Sequence, residues 1–212
     1  PAHCIVIGHS EGAYLAPELA VEDDSVAGLL LLEGAARSLD QITRWQVRTQ
    51  LERQGIQGTA LDQALAQQDQ YTAFVKTSQG GWADYTVEQL QEAMPWLTDG
   101  AAIQLKATPL SLQWLRQYYV DDPEATLQAV DVPVLVVNGE KDAQVPSSEA
   151  ERIAEALRNG GNGEVTVVVL PDLNHLLRHH PEEPNLVYRH LDEPVDPRVL
   201  ETLTRWAVDR LL

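Results

Sequence analysis

The apolar run Cys4-Ile5-Val6-Ile7 stops at Gly8, and His9-Ser10-Glu11-Gly12 leads directly into a helical pattern. A continuous apolar run, rather than an alternating one, is the mark of a strand covered on both faces. A strand that hands over to a helix within a few residues belongs to a parallel sheet whose crossovers are helices, since a hairpin would turn straight into another strand. Three further runs of the same kind, Val26–Leu32, Val134–Val137 and Val165–Leu170, complete the expected strand set.

Helical patterns follow. Gly12–Ala20 carries Tyr14, Leu15 and Leu19 at helical spacing. Ser147–Leu157 has Ser148 as a candidate cap with Glu151 three residues on. Pro197–Leu212 places Val199, Leu200, Leu203, Trp206, Ala207 and Leu211 on one side. Between the second and third strands, residues Gly34 to Val132 show no convincing strand and are rich in Gln, Ala and Leu. Helices are expected there over Asp40–Gln54, Leu61–Lys76, Val87–Met94 and Leu110–Tyr119, punctuated by Gly55–Gly58, Gly80–Gly81 and Asp99–Gly100. Trp45, Trp82, Trp96 and Trp114 all fall in this stretch, which is too apolar for a linker. The fold class is therefore α/β. About four parallel strands with flanking helices form a core from 1–33 and 133–212, and 34–132 is a helical insertion.

A net charge of −17 argues against nucleic acid or an anionic membrane surface as a partner, because both want a basic face. No apolar run approaches the roughly 18 residues needed to span a bilayer. No signal peptide is visible behind Pro1, and the first residue is not Met. The single cysteine, Cys4, excludes an internal disulfide and reads as a small core residue, so cytoplasm is the default compartment.

In parallel α/β sheets chemistry gathers at the carboxyl ends of the strands. Gly8-His9-Ser10-Glu11-Gly12 follows the first strand, Asn138-Gly139-Glu140-Lys141-Asp142 the third, and Pro171-Asp172-Leu173-Asn174-His175 the fourth. Serine, aspartate and histidine thus come to one edge in that order. A serine hydroxyl is a poor nucleophile until a base and a tight turn present it. Gly8 and Gly12 are expected to remove side chains that would clash at such a turn. The backbone N–H of Glu11, opening a helix, is expected to point where an oxyanion would form. Each residue also has a plainer reading. Those readings are a turn serine for Ser10, a loop or capping aspartate for Asp142 with Glu140 and Asp172 as rival acids, and a structural loop histidine for His175. His9 reads as a packing or hydrogen-bonding residue and His3 as a strand residue. His179, His180 and His190 read as surface residues rather than metal ligands, so neither metal nor cofactor is expected. Glu182-Glu183 and Asp192-Glu193 read as a solvated loop.

Gly8-His9-Ser10-Glu11-Gly12 resembles the G-x-S-x-G elbow of the α/β-hydrolase superfamily, in which the acid and the histidine follow later strands in the order seen here. The loops "GEKDAQVP" and "LPDLNHLL" resemble that family's acid and histidine loops. The segments "GHSEGAYLAPELA", "VAGLLLLEGAARSLDQ" and "EPVDPRVLETLTRWAV" are similar to a bacterial serine carboxylesterase branch with a helical cap. The resemblance implies Ser10 as nucleophile, His175 as base and Asp142 as its acid, with a small-molecule ester of small to medium acyl length as substrate. It leaves thioesterase, lysophospholipase, peptidase-like acyl hydrolase and a non-catalytic hydrolase-fold fragment as alternatives.

The family resembles this chain only from its nucleophile strand onward. The expectation is therefore that the N-terminal strands, with the loop that supplies a second oxyanion donor, are absent from this stretch. The Cys4–Ile7 strand is then expected to be an open sheet edge that needs the missing half or self-associates.

Overall fold

The computed structural model describes residues 4–180, 182–186 and 192–211; His3 and His190 lie outside them. The strands β1 (Cys4–His9), β2 (Val26–Leu32), β3 (Val134–Gly139) and β4 (Val165–Leu170) form one sheet in the order β1-β2-β3-β4. Every pairing is parallel. Helix α1 (Gly12–Glu22) connects β1 to β2, and α8 (Glu149–Asn159) connects β3 to β4. The last helix, α9, runs Pro197–Leu211. No described helix is long and apolar enough to cross a membrane.

The strand runs are continuously apolar because both faces are covered, and successive residues divide between two cores. Leu29, Leu31, Val134 and Val136 pack with Ala13 and Ala16 of α1 and with Ile153 and Leu157 of α8. Leu30, Leu32, Leu135 and Val137 pack with Val199 and Trp206 of α9. β2 and β3 are buried along most of their length. β1 pairs with β2 alone among the described residues, and its Ile7 is 57% exposed. Cys4 lies at this strand's exposed start, not in the core: the side of β1 facing away from β2 has no described strand to bury it.

The chain forms two compact units. One comprises residues 1–37 and 122–212; the other is 38–121. The second unit is helical: α2 (Leu39–Arg53), α3 (Thr59–Thr77), a short 3-10 turn (Trp82–Asp84), α4 (Val87–Ala93), α5 (Asp99–Lys106) and α6 (Leu112–Val120). Its core gathers Val75, Trp82, Leu90, Met94, Leu112 and Tyr119. Phe74 stacks on Trp82 with ring centroids 5.9 Å apart, and the Trp82 indole N–H donates to the Leu110 carbonyl at 2.9 Å. Trp96, by contrast, is exposed.

Two short helices escape the sequence reading. Asp99-Gly100 looks like a turn, yet it opens α5, because Thr98 caps it by accepting the Ala101 N–H at 3.3 Å. α7 (Pro123–Gln128), in the first unit, starts on an Asp122 cap with proline in its first turn. At α8 the expected Ser148 cap does not form. Ser148 is itself in the helical region and makes no side-chain cap bond.

Candidate active site

The sheet's ladder continues past its strand ends. The Ser10 N–H donates to Leu32, that of Glu33 to Val137 and that of Glu140 to Leu170, each at 2.9 Å. Residues following adjacent strands are therefore held level along one edge, although they are far apart in sequence.

Ser10 has a φ of 54°, in the left-handed region that side-chain-bearing residues rarely occupy. Its carbonyl accepts the Ala13 N–H at 3.0 Å, so α1 begins without an intervening loop. The turn brings the Gly12 carbonyl against Gly8, where an added Cβ would lie 2.1 Å from that oxygen. Glycine at 8 is thus a steric requirement of the turn. Gly12 is not: a Cβ there would meet nothing within 4 Å, because only the Gly12 carbonyl, and not its α-carbon, faces the strand. Glu11 stands at the N-cap position of α1.

The histidine loop is tied to the loop after β3. The Lys141 N–H donates to the Leu173 carbonyl at 2.9 Å, and the Lys141 ammonium pairs with Asp172 at 2.8 Å. That partner holds the Asp172 carboxyl below its usual range. A Cβ on Gly139 would lie 2.3 Å from the Leu173 carbonyl oxygen, so the two loops touch backbone to backbone. Asn174 braces the turn by accepting the N–H groups of Leu176 at 2.9 Å and Arg178 at 3.3 Å.

These constraints bring the three predicted side chains together. His175 Nδ1 lies 2.7 Å from Asp142 Oδ2, and His175 Nε2 lies 2.9 Å from Ser10 Oγ. Asp142 and His175 are each 4% exposed, while Ser10 is half-buried. The other oxygen of Asp142 accepts the N–H groups of Gln144 at 2.6 Å and Val145 at 3.1 Å. Only acceptors stand on the Asp142 side, so Nδ1 carries the proton and Nε2 is left to accept the serine hydroxyl.

The rival acids are used elsewhere: Glu140 is exposed and accepts the Asp172 N–H at 3.4 Å, and Asp172 pairs with Lys141. His9 hydrogen-bonds through its Nε2 to the His175 carbonyl at 2.8 Å, with the two rings 5.2 Å apart, in keeping with its packing role. His179 is exposed, but His180 is fully buried rather than on the surface, because the loop folds back over it and Asn174 and Asn185 contact its ring.

Two fully buried acids went unremarked in the sequence. Glu149, at the start of α8, accepts from the backbone N–H groups of Ala36 and Arg37 at 3.1 and 3.2 Å and from the Arg37 side chain at 2.8 Å. Glu33 follows β2, with no exposure and a φ of 50°. The only sequence signal for Glu33 is a charged residue directly after "LLLL".

A parallel sheet with a serine on a strained strand-to-helix turn, and an acid and a histidine after later strands, defines the α/β-hydrolase class. The chain belongs to the Alpha/beta hydrolase family, whose sequence profile matches residues 1–187. It is similar to Esterase EstD of Thermotoga maritima, with 24% identity over 207 residues, 96% of this chain and 42% of that protein. The chain thus spans less than half the length of that relative. Solved structures share the fold. The monoacylglycerol lipase of Paleococcus ferrophilus has a TM-score of 0.53 and 14% identity, over 99% of this chain and 69% of that one. A thermophilic esterase from Thermogutta terrifontis has a TM-score of 0.51 and 20% identity, over 100% of this chain and 66% of that one.

Proposed function

We propose that this chain carries the catalytic residues of a serine hydrolase that cleaves carboxylic esters of small to medium acyl chains through an acyl-enzyme. The observation that carries the reading is the unbroken hydrogen-bond chain from Ser10 Oγ through His175 to Asp142, at 2.9 and 2.7 Å. The names of the relatives, an esterase and a lipase, support ester substrates.

Ser10 Oγ attacks the ester carbonyl as its proton passes to His175 Nε2. The imidazolium, steadied by Asp142, gives that proton to the departing alcohol. Water then enters along the same path: His175 takes its proton as the water oxygen attacks the acyl carbonyl, and as the acyl–serine bond breaks His175 returns the proton to Ser10 Oγ and the carboxylic acid leaves. The Glu11 backbone N–H, following the nucleophile at the start of α1, is the proposed oxyanion donor. One such donor lowers the barrier by about 2.7–4 kcal/mol.

The edge of β1 that no described strand covers, with Ile7 exposed and Leu15 and Leu19 exposed on α1, supports pairing of that edge with another strand in the working protein. Light scattering that gives the mass of a single copy at micromolar concentration would exclude self-pairing.

The function is tested with p-nitrophenyl esters of graded acyl length, together with a matching thioester, on the parent and on Ser10→Ala. Ester turnover that peaks at short or medium acyl length and vanishes in the variant is expected. Turnover that survives Ser10→Ala would overturn the assignment.

A further inference from the structure

Glu33 is the second strained residue at this sheet edge, and the proposed reaction does not use it. Its Oε1 accepts the Gly139 N–H at 2.7 Å, which ties the end of β2 to the end of β3. Its other oxygen, Oε2, is buried and has no hydrogen-bond donor among the described residues. Beside it lies Asp142: oxygens of the two carboxyl groups and a ring nitrogen of His175 all fall within 4.8 Å of one another. Among the described residues, Asp142 and His175 are the titratable groups that Glu33 faces.

Two buried carboxyl groups side by side cannot both hold a negative charge without a large cost, so one keeps a proton. The donors decide which one. Asp142 accepts three N–H bonds, from Gln144, Val145 and His175, whereas Glu33 accepts one. Burial, and then the neighbouring Asp142, push the Glu33 carboxyl well above the ordinary carboxylate range, with the Gly139 N–H pulling weakly the other way.

We propose, resting on the function above, that Glu33 is a positioning residue: a neutral carboxylic acid whose hydroxyl donates a hydrogen bond to Asp142 and holds that carboxylate against His175. Its two oxygens do different work. Oε1 accepts from the backbone of β3, and the protonated Oε2 supplies Asp142 with a fourth donor. That donor draws charge from the Asp142 carboxylate that faces His175. The strained backbone at residue 33 has the same sense as that at Ser10: it turns the side chain along the sheet edge toward the neighbouring loop.

Glutamine reproduces the neutral acid, with an amide oxygen for Gly139 and an N–H for Asp142; alanine reproduces neither. The test therefore compares Glu33→Gln with Glu33→Ala by two independent readouts. The first is infrared spectroscopy at neutral pH, which needs no turnover. The parent should show the C=O stretch of a protonated carboxyl group that is missing in Glu33→Gln. The second is the pH profile of ester hydrolysis. Glu33→Ala should lose on the order of tenfold in kcat/KM, with its acid limb moved to higher pH. Glu33→Gln should recover both the rate and the position of that limb.

Absence of the protonated-carboxyl band in the parent would overturn the proposal. So would a well-folded Glu33→Gln as impaired as Glu33→Ala, because a charged carboxylate would then be what the site needs. If the parent hydrolyses no ester at all, the functional reading fails while the infrared band still decides the state of Glu33.

Discussion

Ser10 and Glu33 occupy equivalent places on neighbouring strands, yet they meet opposite environments. Each follows a parallel strand, each has φ near 50° (54° and 50°), and each donates its N–H at 2.9 Å to the next strand of the sheet. Ser10 is half-buried and turns its hydroxyl toward His175 Nε2. Glu33 is fully buried and turns its carboxyl toward Asp142. Left-handed backbone is costly for any residue with a side chain. Here that conformation sets a serine hydroxyl at the open end of a hydrogen-bond chain and a buried carboxyl, the proposed proton holder, at its closed end. The sheet register makes the pairing possible, because residues that follow adjacent parallel strands fall level with one another.

The largest effect is expected at Asp142, which lies between His175 and Glu33. Asp142→Asn would keep an oxygen for the Gln144 and Val145 N–H groups and turn its NH2 toward His175 Nδ1. The imidazole would then have to carry its proton on Nε2, which could no longer accept the serine hydroxyl. Ester turnover should fall on the order of 10⁴-fold, measured as kcat with the fold checked by circular dichroism.

A smaller effect, on stability, is expected at Glu33. Because the folded state raises this carboxyl above its unfolded value, the stability it contributes is fully present below the unfolded range and is lost as pH rises toward the folded value. Above roughly pH 4.3 the unfolded chain gives up the proton while the folded chain keeps it, so the parent should lose about 1.4 kcal/mol per pH unit through this group. Glu33→Gln lacks that loss. Its melting temperature relative to the parent should therefore rise between about pH 4 and pH 7. A gap constant across that window would contradict a neutral Glu33.

The four strands and the three side chains that meet in the candidate site are legible in the sequence because each is set by local chemistry: continuous apolar runs, a serine framed by glycines, and an acid and a histidine just past strand ends. Glu33 is not legible, because its partners are set by register. Leu32 pairs with Val137, so the residue after β2 lies beside the loop after β3, and no local pattern reports that alignment. A glutamate after a strand otherwise reads as solvated. His180 is misread for the same reason, since an isolated loop histidine gives no sign that the chain folds back over it. Cys4 errs the other way: a residue in an apolar run is taken as core, but burial also needs a neighbouring strand on its far side. At the start of α5, the Asp99-Gly100 turn signal is outweighed by the Thr98 cap.

The proposed activation of Ser10 depends on His175 and Asp142. Its most direct test is intact-mass analysis with peptide mapping after treatment with a fluorophosphonate, on the parent, Ser10→Ala and His175→Ala. A single adduct on Ser10 of the parent, and none on either variant, is the predicted result. An adduct that persists in Ser10→Ala, or a folded parent that takes none, would contradict it.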